Sequence, residues 1–263
     1  MKRILAFLII SLCIISPCSF DINEINAASA SYSWYCVRNK EHKQPTQDAN
    51  TTFIEQYGGY YVDKRYADMT DEKVIYLTFD AGYENGNIEK ILDVLKQENV
   101  SAAFFILSNL VDKNPELVLR MADEGHLVCN HTSKHLDVSK CENIEDFKRE
   151  LDALEKIYKD ATGREMAKFF RPPEGKFSEN SMKFASELGY KTIFWSFAYA
   201  DWDNNKQMSP EKAKKKILDN VHNGEIMLLH PTSATNATIL EDVIVTLKSQ
   251  GYRFGTLDEL CGR

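Results

Sequence analysis

The sequence predicts an α/β fold built on a parallel sheet with helices outside it. The first observation behind this is periodicity. From Lys73 on, short apolar runs alternate with stretches whose apolar residues recur at helical spacing. The second is that the runs are continuous, as strands buried on both faces require. The third is size. A chain of 263 residues, 43% hydrophobic and 27% charged, suits one large α/β domain or two small ones of ordinary globular composition. Disorder, collagen and coiled coil are excluded as descriptions of the whole. Seven strand–helix units can close into a barrel or stay open as a doubly wound sheet, and periodicity does not decide between them. No glycine-rich loop follows the first strand, which argues against a nucleotide site.

The chain opens with Lys2 and Arg3, an apolar run from Ile4 to Ile15, and a cleavage-like Ala28-Ser29-Ala30. Residues 1–30 therefore read as a secretory signal peptide, the run being short of the ~20 residues that span a bilayer. An uncleaved signal anchor is one alternative; a lipoprotein processed at Cys18 is another, for which Pro17 is a poor neighbour. The chain is expected to work outside the cytoplasmic membrane. Residues 31–65 hold Trp34, Pro45, Gly58-Gly59 and several tyrosines without a clear period. They read as an N-terminal extension packed on the main unit, which runs over 66–263.

Val74 to Phe79 is the first strand, followed by a helical stripe of Ile88, Ile91, Leu92 and Leu95. Ala102 to Leu107 is the second. Asn114-Pro115 opens a helix as cap and first-turn proline, and Gly125 ends it. Leu127 to Cys129 is the third strand. Ile144, Phe147, Leu151, Leu154 and Tyr158 form a long stripe stopped by Gly163, and Lys168 to Phe170 is the fourth strand. A helix carrying Phe184 and Leu188 stops at Gly189, before a fifth strand from Lys191 to Phe197. Ser209-Pro210 opens a helix with Ala213, Ile217 and Val221, and Ile226 to Leu229 is the sixth strand. Ile239, Leu240, Val243, Ile244 and Leu247 make the last clear helix, ended by Gly251, with a seventh strand around Phe254 to Leu257.

The formal charge is −7, from 32 Lys plus Arg against 39 Asp plus Glu. Without a basic block the chain is no candidate for nucleic acid, which needs clustered cations to neutralise phosphates. Cys36, Cys129, Cys141 and Cys261 lie beyond the leader, and none forms a CxxC pair. Cys36 and Cys261 are near the two ends of the mature chain and could meet. Cys129 sits in an apolar run and reads as a buried small hydrophobe.

In a parallel barrel, chemistry sits on the loops after the C-terminal ends of the strands. Asp80 follows the first strand, His131 and His135 the third, Arg171 the fourth, Asp201 and Trp202 the fifth, and His230 the sixth. One such residue could cap a helix. Several on one rim are harder to explain that way. On a helical turn, His131 and His135 would face the same way and could bind one metal ion. Asp80 at the end of an apolar strand is partly desolvated, which suits a general base. Arg171, stiffened by two prolines, could pair with it. His230 is placed for a proton donor. The remaining histidines, His42, His126 and His222, read as surface residues.

Thr78-Phe79-Asp80-Ala81-Gly82-Tyr83, His131-Thr-Ser-Lys-His135, Arg171-Pro-Pro-Glu-Gly175 and Leu228-Leu229-His230 occur in that order. Together they resemble the motif series of the polysaccharide deacetylases, carbohydrate esterase family four. The resemblance implies a deformed (β/α)7-type barrel and metal-assisted hydrolysis of an N-acetyl group on an amino sugar. By the same resemblance Asp80 is the base, oriented by Arg171. His131 and His135 hold zinc or another divalent ion. His230 is the acid, tuned by Asp201 with Asp203 as a substitute, and the backbone N–H of Tyr83 helps hold the oxyanion. The family usually has a second aspartate as third metal ligand; here that position is Ala81, so the resemblance implies a weak metal site.

The Gly82-Tyr83-Glu84-Asn85 run, Tyr57-Gly-Gly-Tyr60, Arg-Pro-Pro-Glu-Gly-Lys-Phe-Ser178 and the stretch from Phe194 to Trp202 resemble the delta-lactam-biosynthetic branch. That branch acts on muramic acid of spore-cortex peptidoglycan after the stem peptide has gone. The glycan strand is thus the expected partner. Lys176 and Asn85 are candidate partners for the lactyl carboxylate, and Trp195, Tyr199 and Trp202 could offer apolar faces to sugar rings. Two rival readings remain: deacetylation of N-acetylglucosamine in peptidoglycan, chitin or acetylated xylan, and an inactive wall-binding relative. Retention of Asp80, Arg171 and His230 argues against the latter.

Overall fold

A computed structural model describes residues 30–39, 41–67 and 71–262. The predicted leader, apart from Ala30, lies outside the described residues. No helix among the described residues is long and apolar enough to cross a membrane.

The sheet is parallel. Its main strands are β1 (Lys73–Ala81), β2 (Ala103–Ile106), β3 (Leu127–Asn130), β4 (Ala167–Phe170), β5 (Lys191–Ile193), β6 (Glu225–Leu229) and β7 (Tyr252–Phe254). They lie in the order β6-β1-β2-β3-β4-β5, with the short strand Gly59–Tyr60 beside β5. β7 pairs with Lys73 to Ile75 of β1, whereas β2 pairs with Thr78 to Ala81. Across the remaining gap, Phe197 bridges Met227, and the Leu228 N–H donates to Phe197 O at 2.9 Å. The sheet therefore curls into a deformed barrel rather than an open doubly wound sheet.

The helices are α1 (Ile88–Gln97), α2 (Ser108–Lys113), α3 (Pro115–Asp123), α4 (Ile144–Thr162), α5 (Glu179–Glu187), α6 (Pro210–Asn220), α7 (Ala234–Ser249) and α8 (Leu257–Leu260). The predicted stripes are their buried faces: Ile88, Ile91, Leu92 and Leu95 of α1 are all fully buried. β1 packs Ile75, Leu77, Phe79 and Ala81 into the largest apolar cluster, with α1 and α7. By strand alternation Tyr76, Thr78 and Asp80 face the other way.

Several expectations are corrected. The fifth strand stops at Ile193, because β4, its pairing partner, ends at Phe170. The seventh lies earlier than predicted: Thr256 accepts a hydrogen bond from the Glu259 N–H, so Leu257 opens α8 instead. Helix α2 went unread. His126 and His222 are buried, 6% and 2% exposed, not surface residues. Cys36 and Cys261 form no disulfide. Cys36 packs beside Trp34 and Phe194, and Cys261 beside Tyr66 and Leu260. Cys129 is fully buried, as an apolar filler would be.

Residues 31–39 and 41–66 wrap the barrel. Ser31–Ser33 pairs antiparallel with Lys176–Ser178. The Trp34 indole N–H donates to Trp195 O at 2.8 Å, and its ring stacks on Phe194 at 4.5 Å. Gly59 joins the main sheet, and only glycine fits there, since any Cβ would stand 2.8 Å from Ile54 O.

Candidate active site

The C-terminal rim of the sheet opens into a cleft of about 660 Å³. Asp80, Tyr83, His131, His135, Trp202 and His230 line it, together with Glu174, Trp195 and Tyr199. Arg171 and Asp201 stand behind its wall, 0% and 1% exposed.

Asp80 reaches the cleft because it is the inward-facing residue nearest the end of β1. Arg171 follows β4 and crosses the barrel to meet it: Nη1 donates to Asp80 Oδ1 at 2.8 Å. The rest of the guanidinium is fixed. Nε donates to Ile193 O at 2.9 Å and Nη2 to Thr78 Oγ1 at 2.9 Å, and the plane lies 4.2 Å from the Phe105 ring centroid. A buried cation held this way is a fixed positive charge. Burial alone would push the Asp80 carboxyl up, but the Arg171 charge and hydrogen bond, together with the charges of His131 and His230, hold the group below the usual carboxylate range.

His131 leaves β3 with Nδ1 2.8 Å from Arg171 O. A carbonyl only accepts, so Nδ1 carries the proton and Nε2 keeps its lone pair. That Nε2 lies 3.6 Å from Asp80 Oδ2. Burial pushes the ring down to about 4, so it is neutral at neutral pH. The His135 ring lies 5.2 Å away, centroid to centroid, edge on.

The two histidines do share a face, but not on a helix. Thr132 and His135 are left-handed, with φ of 67° and 59°. Asn130 Oδ1 accepts the Thr132 N–H at 2.9 Å and Thr132 Oγ1 the Leu136 N–H at 3.0 Å. These side chains take the N–H groups a helix would use. Glu174 is also left-handed at φ 54°, so three of the five such non-glycine residues among the described ones sit at this rim.

His230 follows β6. Its Nδ1 donates to Asp201 Oδ1 at 2.7 Å, and its backbone N–H to Oδ2 at 2.8 Å. Burial would lower this imidazole, but the Asp201 hydrogen bond and charge, with Asp80 beyond, raise it above the usual range. Asp203 is not the partner; it takes a Lys206 ion pair at 3.8 Å. Trp202 is 60% exposed, its ring centroid 6.1 Å from that of His230. Among the described residues no acceptor takes the Tyr83 backbone N–H, while its hydroxyl accepts from Asn204 Nδ2 at 2.6 Å.

Two predicted residues are not brought into the cleft. The Lys176 ammonium pairs with Glu174 at 2.7 Å. Asn85 donates its amide to Thr232 O at 2.8 Å and ties its loop down. Nearer partners claim both side chains. Glu174, within the Arg-Pro-Pro-Glu-Gly motif, lines the cleft and went unassigned; its signal was the motif itself.

Among the described residues no group of three His, Cys, Asp or Glu side chains gathers as a metal site. The His131 tautomer leaves the Nε2 lone pair free for a divalent ion beside the His135 imidazole, whereas Ala81 supplies no carboxylate.

A family profile, Polysaccharide deacetylase, matches residues 67–193. The chain is 40% identical over 230 residues to the peptidoglycan-N-acetylmuramic acid deacetylase PdaA of Bacillus subtilis, covering 87% of this chain and 85% of that protein. The solved structure of Bacillus subtilis PdaA, a family 4 carbohydrate esterase, superposes with a TM-score of 0.82, covering 89% of this chain and 97% of that one at 38% identity. A peptidoglycan-N-acetylglucosamine deacetylase of Bacillus cereus is 35% identical over 190 residues, 71% of this chain and 67% of that protein.

Proposed function

As this chain belongs to the polysaccharide deacetylases, a hydrolase family, we propose that it removes the N-acetyl group from N-acetylmuramic acid in peptidoglycan. The observation that carries the chemistry is the opposite pairing of two groups facing one cleft: Asp80 accepts from the Arg171 guanidinium, which favours its ionised form, and His230 donates to the Asp201 carboxylate, which favours its protonated form. Pairs pushed apart in this way divide the roles of base and acid.

Asp80 takes a proton from the water that attacks the acetyl carbonyl. The Tyr83 backbone N–H donates to the carbonyl oxygen as it becomes anionic. His230 then gives its proton to the leaving amine as the carbon–nitrogen bond breaks, leaving acetate and a free amino sugar. A divalent ion, zinc or another, held by His131 and His135 would polarise the acetyl carbonyl and lower the pKa of a bound water. Trp202, exposed beside His230, offers an apolar face to a sugar ring.

Muramic acid is favoured over glucosamine by the extent of the likeness to PdaA, which covers most of both chains. On this reading the freed amine closes onto the lactyl carboxylate, forming the δ-lactam of spore cortex with loss of water. The protein acts outside the cytoplasmic membrane on glycan strands. Incubation with strands first trimmed by an amidase should give fragments lighter by one acetyl group on muramic acid, read by mass spectrometry. Equal release of acetate from chitin oligomers, or equal reaction of untrimmed strands, would replace muramic acid by glucosamine or a broader substrate class.

A further inference from the structure

We propose that Asn236 is a positioning residue for the Asp201–His230 pair; the proposal rests on His230 being the acid. Asn236 lies in the first turn of α7 and is fully buried. Its Nδ2 donates to Asp201 Oδ2 at 2.6 Å and to His230 O at 3.1 Å. Its Oδ1 accepts from the Tyr199 hydroxyl. The orientation is forced. A carboxylate and a carbonyl only accept, so the amide must present its nitrogen to them, and Tyr199 holds the oxygen end.

The helix does not need this side chain. The Asn236 backbone N–H is already capped by Ser233 Oγ at 3.1 Å. Asparagine is a mediocre helix former, and a buried amide is costly unless satisfied. What the side chain does secure is the Asp201 carboxylate. With Oδ2 held by Asn236 and the His230 N–H, Oδ1 is left to orient the imidazole through Nδ1. The loop after β5 is clamped to the same helix start, since Gln207 Nε2 donates to Asp201 O at 2.8 Å and Gln207 Oε1 accepts from Ser233. The other charged groups facing His230 are Asp80 and Arg171. Both are held from β1 and β4, so they cannot replace this orientation.

The test uses the full chain with labelled histidine. The downfield Nδ1–H proton resonance of the His230–Asp201 bond is identified by its loss in His230→Ala. In Asn236→Ala we expect it to broaden or vanish, and kcat on trimmed glycan strands to fall about tenfold with KM within about twofold. Tyr199→Phe, which removes the hydrogen bond that anchors the amide oxygen, should move both in the same direction by less. An unchanged resonance in folded Asn236→Ala overturns the proposal, whatever happens to turnover. Should that variant not fold, an unchanged resonance in Tyr199→Phe overturns it. The resonance needs no substrate, so absence of acetate release from the parent would count against the proposed function and leave this assignment standing on the spectrum.

Discussion

Asp80 and His230 show how little of a residue's role lies in the residue. Both are half-buried titratable groups, and desolvation acts on each against its charged form. A fixed guanidinium with two neighbouring imidazoles reverses that effect for Asp80, and a buried carboxylate reverses it for His230. Asp80→Asn and His230→Ala should each lower turnover by ~10²–10⁴-fold while circular dichroism stays that of the parent. Retention of more than about a tenth of the rate would remove that residue from its role. On the proposed roles the pH profile has a definite sign. Asp80 is depressed, so the base is ionised down to below the usual carboxylate range. His230 is raised, so the acid keeps its proton to above the usual imidazole range and activity falls as pH rises through that point. Asp201→Asn should move the alkaline limb to lower pH; a limb that stays in place would mean Asp201 does not tune His230.

At the scale of elements, the segment 31–66 is not a loose arm. It pairs with Lys176–Ser178, adds Gly59–Tyr60 to the sheet, and lays Trp34 over Phe194 and against the carbonyl of Trp195. Trp195 itself lines the cleft, and a Cβ on Gly175 would meet its ring at 2.8 Å. The extension thus supports the wall on which Arg171 is mounted. Trp34→Ala should cost roughly 3–5 kcal/mol of stability, as large-to-small changes of a buried aromatic do. Urea unfolding measures this, and a loss below about 1 kcal/mol would show that the extension is not integral to the fold.

For the whole molecule, the deformed barrel gathers residues more than a hundred positions apart onto one rim. On the proposal that only His131 and His135 would hold a divalent ion, saturating zinc should raise the melting temperature slightly, by the mass-action relation for a weak ligand. His131→Ala with His135→Ala should abolish both that shift and stoichiometric metal in an elemental assay. Metal content equal to that of the parent would place the ion elsewhere. Periodicity alone located six of the seven strands and most helices, because burial on both faces writes continuous apolar runs. It also placed Asp80, His131, Arg171 and His230 on one rim, since parallel strands deliver their ends to one side. It erred at β5, β7 and the histidine loop, where hydrogen-bond partners supplied by distant or local side chains decide the backbone. It could not tell that Lys176 is claimed by Glu174, that Cys36 and Cys261 stay apart, or that Asn236 meets Asp201. Those outcomes depend on which groups the closed barrel brings within hydrogen-bonding distance, and no local pattern encodes a distance across the fold.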